Sequence, residues 1–421
     1  MNTIIAREFA QYEKVFEEYI KSDNPTLQEV LKYIHLQRGK QLRPQLVLLS
    51  AAISHGITDK TIHTAVALEL LHTATLIHDD VVDNSPTRRG KTAVQEQWTN
   101  KVAILVENYS HSIRTHVLNG TAWINNTKTG FQKILYNEKQ FSSPKFNTDI
   151  NNILFNKLIV DDIESDYVVI SSPFFLASMD FRPMLKEHIK SKKEISVIYT
   201  KANNADSEYD GCDALTIKNG LVVATETNDK KNKNADISLE TFIINRKTFD
   251  DIINQSRNIS SIYSFRKTVE YLREKGVYQL NAIAFDGFVA PILSFENYVK
   301  YSFDFLNYSK RSQLFIPDWP IYTTSHNTPP ALYGENAVVV NSFIANGSNI
   351  KGTVKNSVIS RDVVIEEGAV VENCILFTKT KIGAGAFVKN VVTDKQAKII
   401  NSKDVQGEED NMMFVDFGEI I

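Results

Sequence analysis

The residues best suited to chemistry in this chain are three aspartates in a histidine-aspartate run. They lie in Leu71-His72-Thr-Ala-Thr-Leu-Ile-His78-Asp79-Asp80-Val-Val-Asp83, and Arg88-Arg89-Gly90 follows. The apolar spacing predicts one helix over residues 62–83, on which His72, Asp79 and Asp83 share a face with Asp80 beside them. Carboxylates one turn apart are hard oxygen donors that suit Mg2+, an ion that keeps several waters and bridges to diphosphate oxygens. Held there, it would neutralise a leaving diphosphate. Arg88 and Arg89 add planar forks that match phosphate geometry, and Gly39-Lys40-Gln-Leu-Arg43-Pro44 supplies two more cations upstream. An isolated DDxxD is often only a solvated helix end. Set between GKxxRP and RRG, it reads as an anion-binding constellation. The sequence carries no second DDxxD: Asp161-Asp162 and Asp250-Asp251 lack the spacing and read as loop or helix-start residues.

The elements that must position these groups read as all-α over residues 1 to about 100. Asp23-Asn24-Pro25 breaks the first helix, and Pro44 opens another whose apolar body is Leu46 to Ile53. Beyond about residue 106, short β-rich runs alternate with helical ones, as at Tyr167–Ser171, Ile195–Thr200 and Leu215–Ala224, the last with Asn219-Gly220 as its turn. Such alternation predicts an α/β layer. Val102–Val106 suits either a buried strand or a helix.

A repeat begins near Val338. Aliphatic residues recur every six positions at Val338, Ile344 and Ile350, then after a slip at Val358, Val364, Val370, Leu376, Ile382 and Val388. Turn-forming residues between them, such as Asn346-Gly347 and Gly383-Ala384-Gly385, let the chain round the corners of a triangular coil. The pattern predicts a left-handed parallel β-helix of about three coils, with Val364, Val370, Leu376 and Ile382 facing inward. A β-helix does not by itself specify a function.

Composition sets outer bounds. The 421 residues suffice for roughly three domains, and 43% hydrophobic with 23% charged residues is ordinary for a globular protein. A net charge of -3 offers no basic surface for nucleic acid. Cys212 and Cys374 are too few for a disulfide framework or a cysteine zinc site. No signal peptide or membrane-spanning segment is expected, and the expected compartment is cytoplasmic.

Over residues 1–105, the GKxxRP, HDDVVD and RRG motifs resemble trans-type polyprenyl diphosphate synthases. The resemblance implies that Asp79, Asp80 and Asp83 hold Mg2+ as cofactor and that Arg88 contacts an allylic diphosphate. Lys40, Arg43, His72 and Arg89 would form the isopentenyl diphosphate site. Residues 106–421 resemble a different family, glucose-1-phosphate adenylyltransferase, the ADP-glucose pyrophosphorylase of glycogen synthesis. The residues that carry this likeness are Tyr109-Ser-His111-Ser112-Ile-Arg114-Thr-His116-Val-Leu-Asn-Gly120-Thr-Ala-Trp123, the strand Tyr167–Ile170 with Ser171-Ser172-Pro173, the connector Ile316–Pro330, and the coils.

Within that family the chain is most similar to the regulatory, non-catalytic type of subunit. The catalytic type has a Gly-Asp after the strand where Ser171-Ser172 stand, and a Glu-Lys-Pro lysine absent from Val223–Asp229. The opening strand and Gly-rich nucleotide loop are replaced by helical sequence, which in a doubly wound sheet would leave a central gap and no phosphate cradle. The expected fold is therefore mixed: an all-α segment (1–105), a truncated α/β nucleotidyltransferase-like domain (106–330) and a left-handed β-helix (331–421). The resemblance implies a regulatory subunit in a hetero- or homo-oligomer with a catalytic ADP-glucose pyrophosphorylase subunit, with no catalytic or nucleotide-binding residue of its own. Isoprenoid chain elongation by the amino-terminal segment is the alternative. A hexapeptide acyltransferase is weaker, since its catalytic histidine would lie in the coils and His326, the last histidine, precedes them.

Overall fold

The computed structural model describes residues 5–23, 25–36, 41–54, 56–82, 87–88, 91–92, 101–106, 111–117, 131–136, 148–163, 165–316, 321, 323 and 326–421. The chain divides into two compact units, Met1–Tyr136 and Asn137–Ile421.

In the first unit, α1 (Ala6–Tyr19) presents Phe9, Tyr12 and Phe16 at helical spacing, and all three are buried. Their rings stack along the helix with centroids 5.2 and 5.9 Å apart. After α2 (Pro25–Leu36), α3 (Leu42–Ser54) and α4 (Asp59–Val82) complete a small core with Leu48, Ile62, Ala65 and Val66. Leu42, Leu46 and Ile53 lie on one stripe of α3 and remain exposed, Ile53 at 86%. Two-residue strands β1 (Thr87–Arg88) and β2 (Lys91–Thr92) pair antiparallel. Then β3 (Lys101–Val106), α5 (His111–Val117) and β4 (Phe131–Tyr136) make a parallel pair with a helical crossover, Lys101 opposite Phe131. Val102–Val106 is thus a strand.

The second unit opens with α6 (Asp149–Phe155) and α7 (Lys157–Asp161). Its main sheet, among the described residues, has the order β5-β10-β7-β11-β9-β8. These strands are β5 (Tyr167–Ile170), β7 (Ile195–Ala202), β8 (Asp213–Lys218), β9 (Leu221–Thr227), β10 (Ala235–Asn245) and β11 (Leu280–Ala284). A short β6 (Phe175–Ala177) pairs apart from them with β12 (Val289–Pro291). Central β7 is buried along nearly its whole length, as covering on both faces requires. It runs parallel to β11 and antiparallel to β10. Helices α8 (Phe181–Ser191), α9 (Arg246–Ile259) and α10 (Phe265–Glu274) precede α11 (Phe295–Asp304) and α12 (Tyr308–Leu314). The sheet is continuous, so the central gap expected from the sequence is not found: β5 lies at an edge, and the strands that remain hydrogen-bond without interruption.

Residues 331–421 wind into three parallel ladders of five strands each. Five levels replace the three coils expected. The successive buried residues Ile350, Ile365, Ile382 and Ile399 stack on one face. Inward-facing Leu376 and Ile382 agree with the sequence reading, but Val364 and Val370 do not: each is only half-buried, and Ile365 and Val371 point inward instead. The strands carry adjacent aliphatics, so periodicity alone does not say which of a pair turns in. Between coils the turns pack closely; a Cβ on Gly352 would meet the Ala369 carbonyl oxygen at 2.3 Å.

At one corner, Asn341, Asn356, Asn373 and Asn390 all adopt left-handed backbone. Their amides form a ladder: Asn341 donates to Asn356, Asn356 to Asn373 at 3.1 Å, Asn373 to Asn390 at 3.3 Å, and Asn390 to the Gly407 carbonyl at 3.1 Å. The coils are joined to the α/β layer by an aromatic seam. Phe295 meets Phe414 at 5.8 Å and Tyr298 meets Phe377 at 6.2 Å between ring centroids, and the Arg311 guanidinium stacks 5.0 Å from Phe343.

Candidate functional site

Helix α4 runs from Asp59 to Val82 and carries His72, Asp79 and Asp80 on one continuous element, close to the helix expected from spacing. His72 is half-buried. The side chains of Asp79 and Asp80 lie outside the described residues, as do Asp83, Lys40 and Arg89 altogether. Arg43 is exposed in the first turn of α3, and Arg88 closes β1. Three carboxylates are a donor set that suits Mg2+ in chemistry. Among the described residues, no cluster of three or more His, Cys, Asp or Glu side chains could hold a metal.

The two other acidic pairs have a structural explanation. Arg246, at the start of α9, donates from Nε to both Asp250 carboxylate oxygens at 3.1 and 3.0 Å. Its other nitrogens donate to the carbonyls of Ile163 and of Val160, the latter at 3.2 Å, and lie 3.9 Å from Asp161. Asp162 lies in the turn after α7, as expected, whereas Asp161 is the last residue of α7 and Asp250 lies inside α9; Asp161 and Asp250 flank one guanidinium that ties the end of α7 to α9. Sequence gives no sign of this, because the partners are 83 to 86 residues apart.

At the end of edge strand β5, Ser171 Oγ bonds Thr241 Oγ1 at 3.0 Å. No acid stands there. After β9, buried Asn228 donates to the carbonyls of Ala205 and Tyr209 at 2.7 and 2.8 Å, clamping the loop that leads back from β7. Lys230 and Lys231 pair with Asp210 and Asp229 at the surface, as a solvated loop should. Another polar knot, not anticipated from sequence, lies between α8 and the sheet. Buried His188 bonds Ser196 Oγ at 2.8 Å and Asn245 Oδ1 at 3.0 Å, and Asn281 donates to the same Ser196 at 2.9 Å. All its members are mutually satisfied, the mark of a core network rather than a reactive centre.

Comparison with known proteins separates the ends of the chain. Residues 24–137 match the Polyprenyl synthetase family model, and residues 330–415 match GlmU-like, C-terminal hexapeptide. The glucose-1-phosphate adenylyltransferase of Corynebacterium glutamicum (strain R) is 26% identical over 325 residues, covering 68% of this chain and 75% of that protein. That of Bacillus thuringiensis (strain Al Hakam) is 24% identical over 309 residues, covering 73% and 82%. Heptaprenyl diphosphate synthase component 2 of Bacillus subtilis (strain 168) is 37% identical over 97 residues, 23% of this chain and 28% of that protein. The chain is similar to two families joined end to end.

The polyprenyl synthetase match and the first compact unit end together, at 137 and 136. Both boundaries fall beyond the β3–α5–β4 unit, whose first strand adjoins the join read at Val106. Among the described residues, no helix is long and apolar enough to cross a membrane.

Proposed function

We propose that this chain is a regulatory-type subunit of the glucose-1-phosphate adenylyltransferase family, acting in glycogen synthesis in the cytoplasm without nucleotidyl transfer of its own. Its domains are an all-α polyprenyl-synthase-like segment (1–105), an amino-truncated nucleotidyltransferase-like layer (106–330) and a left-handed β-helix (331–421). The coils associate with a catalytic ADP-glucose pyrophosphorylase subunit. The observation that carries this reading is the Ser171–Thr241 hydrogen bond at the strand end where the catalytic type keeps an acid. Two hydroxyls cannot hold Mg2+ over a triphosphate as a carboxylate does. Asn228 likewise serves loop architecture near where a substrate-gripping lysine is expected. The test is pyrophosphate release from ATP and glucose 1-phosphate by the purified chain, with and without a catalytic subunit. Release by the chain alone, abolished by substitutions within it, would refute the reading.

A second reading follows from the polyprenyl synthetase match. Asp79, Asp80 and Asp83 would hold Mg2+, which supplies charge neutralisation to a diphosphate, while Arg88 and Arg89, with Lys40, Arg43 and His72, fix the anions. With a single aspartate cluster, the leaving group is gripped from one side only. The outcome expected is Mg2+-dependent diphosphate binding that is lost in Asp79→Ala, without chain elongation. A long product from radiolabelled isopentenyl diphosphate would overturn that limit.

A further inference from the structure

Strand β5 ends the main sheet, and its backbone hydrogen bonds show which of its residues look outward. The Arg246 N–H donates to the Asp166 carbonyl at 2.8 Å, and the Asn245 N–H turns the other way, to the Glu194 carbonyl at 3.0 Å. Asn245 stands opposite Tyr167 and Ile243 opposite Val169. In an antiparallel ladder that alternation makes Asp166, Val168 and Ile170 face β10, while Tyr167 and Val169 direct their N–H and C=O groups away from it. These outward groups have no hydrogen-bond partner among the described residues.

Sheet edges are ordinarily guarded by a charge, a proline or a bulge. Strand β5 has none: it reads Tyr-Val-Val-Ile, its register on β10 is unbroken, and Val169 is 41% exposed. Edge strand β8, by contrast, carries Asp213 and Lys218. The outward groups of β5 are also symmetric about Val168. If two copies of β5 lie antiparallel across a two-fold axis at Val168, Tyr167 of each meets Val169 of the other, and every outward N–H finds a carbonyl. The charges favour the same direction. Asp162 and Asp166 are exposed before the strand, and Ser171 and Ser172 follow it. A parallel copy would set the two Asp166 side by side; the antiparallel one sets Asp166 opposite Ile170 and brings the neutral serine end to the acidic end.

We propose that the outer edge of β5 is an interface with a second copy of this chain, a two-fold strand pairing that joins two main sheets into one. The strand has four residues, so the contact is small and the dimer reversible, its fraction rising with concentration. The inference is independent of the subunit reading and is measured on this chain without a catalytic subunit.

Disulfide formation in the full chain tests the register. Cys212 and Cys374 are buried, so an introduced thiol is the accessible one. Across the axis the two Val168 Cα atoms would stand about 4.5 Å apart, within disulfide reach, whereas the two Val169 Cα atoms would be roughly 7–8 Å apart, beyond it. On mild oxidation Val168→Cys should give a covalent dimer, and Val169→Cys, although more exposed, at least about tenfold less. In sedimentation equilibrium the wild type should populate a species of twice the chain mass. Val169→Pro deletes an N–H that the sheet does not use, and should raise the dissociation constant at least about tenfold. Val340→Lys, on the exposed first coil, should leave it unchanged. A wild type that stays monomeric, a Val168→Cys cross-link no stronger than that of Val169→Cys, or a dimer broken by Val340→Lys and indifferent to Val169→Pro would each overturn the proposal.

Discussion

Truncating Ile365 to alanine should open a hole in the middle of the β-helix, whereas truncating its neighbour Val364 should not. Ile365 is fully buried and stacks between Ile350 below and Ile382 above. The change removes three carbons from that stack. At about 0.8 kcal/mol for each buried methylene, transfer alone costs about 2.4 kcal/mol, and the residual cavity raises the total to about 3–4 kcal/mol. Val364 faces outward and half-exposed, so Val364→Ala should cost under about 1 kcal/mol. Because the chain has two compact units, a single melting curve would mix transitions. Hydrogen exchange read by mass spectrometry on peptides spanning 349–399 isolates the coils. Ile365→Ala should speed exchange there by about 140- to 700-fold, and Val364→Ala by less than about tenfold. Equal effects from the two substitutions would mean that the inward row is misassigned.

Three further outcomes are expected. Arg246→Ala should destabilise the second unit by about 2–3 kcal/mol by stranding the Ile163 and Val160 carbonyls, and Arg246→Lys should not restore it, since an ammonium lacks the fork that reaches all partners; full rescue by lysine in urea denaturation would refute this. Asn356→Ala should cost about 1–2 kcal/mol through left-handed backbone as well as lost ladder bonds, and Asn356→Gly, measured by the same exchange experiment, should recover the backbone part. Burial pushes the Glu208 carboxyl up, but hydrogen bonds from Lys300, Tyr301 and Asn204 outweigh it and hold the group below its ordinary range. Its contribution is then complete above the unfolded-chain value and fades as pH falls through the folded one. The gap in hydrogen-exchange protection between wild type and Glu208→Gln, read on peptides of the second unit, should therefore shrink on acidification; a gap constant with pH would contradict it.

Local signals carried well from sequence into structure. The Asn219-Gly220 turn closes the β8–β9 hairpin with both residues at positive φ, as a turn matched to strand twist demands. Helix α4 follows its periodicity, and the coils form where the hexads begin, but at Val364 and Val370 the inward residue is the next one along, Ile365 and Val371. Non-local partnerships did not carry: nothing near Glu208 announces Lys300, 92 residues away, and nothing near Asp161 announces Arg246. The edge position of β5 depends on which strands pair, which alternation cannot supply. The asparagine ladder was legible, because its members recur at intervals of 15, 17 and 17 residues. A search tuned to aliphatic hexads passes over it, since those intervals are not multiples of six.

The ladder also makes chain length in the coils a quantised property. Each asparagine amide but the last, which donates to the Gly407 carbonyl, is answered by another one level away, so a coil can be gained or lost whole, with the corner amides rejoining across the splice. A one-residue insertion inside a coil would throw the corner, the inward aliphatics and the outward charges out of phase together. The ladder's own intervals of 15 and 17 residues show that a coil can differ by two at its other corners, and larger variation needs a loop outside the ladder's reach. The last turn has one: Val392 pairs with Phe414, 22 residues on, and the segment beyond Gly407 leaves the stack before rejoining it. Seen this way, the carboxy-terminal domain is a digital ruler with one adjustable end.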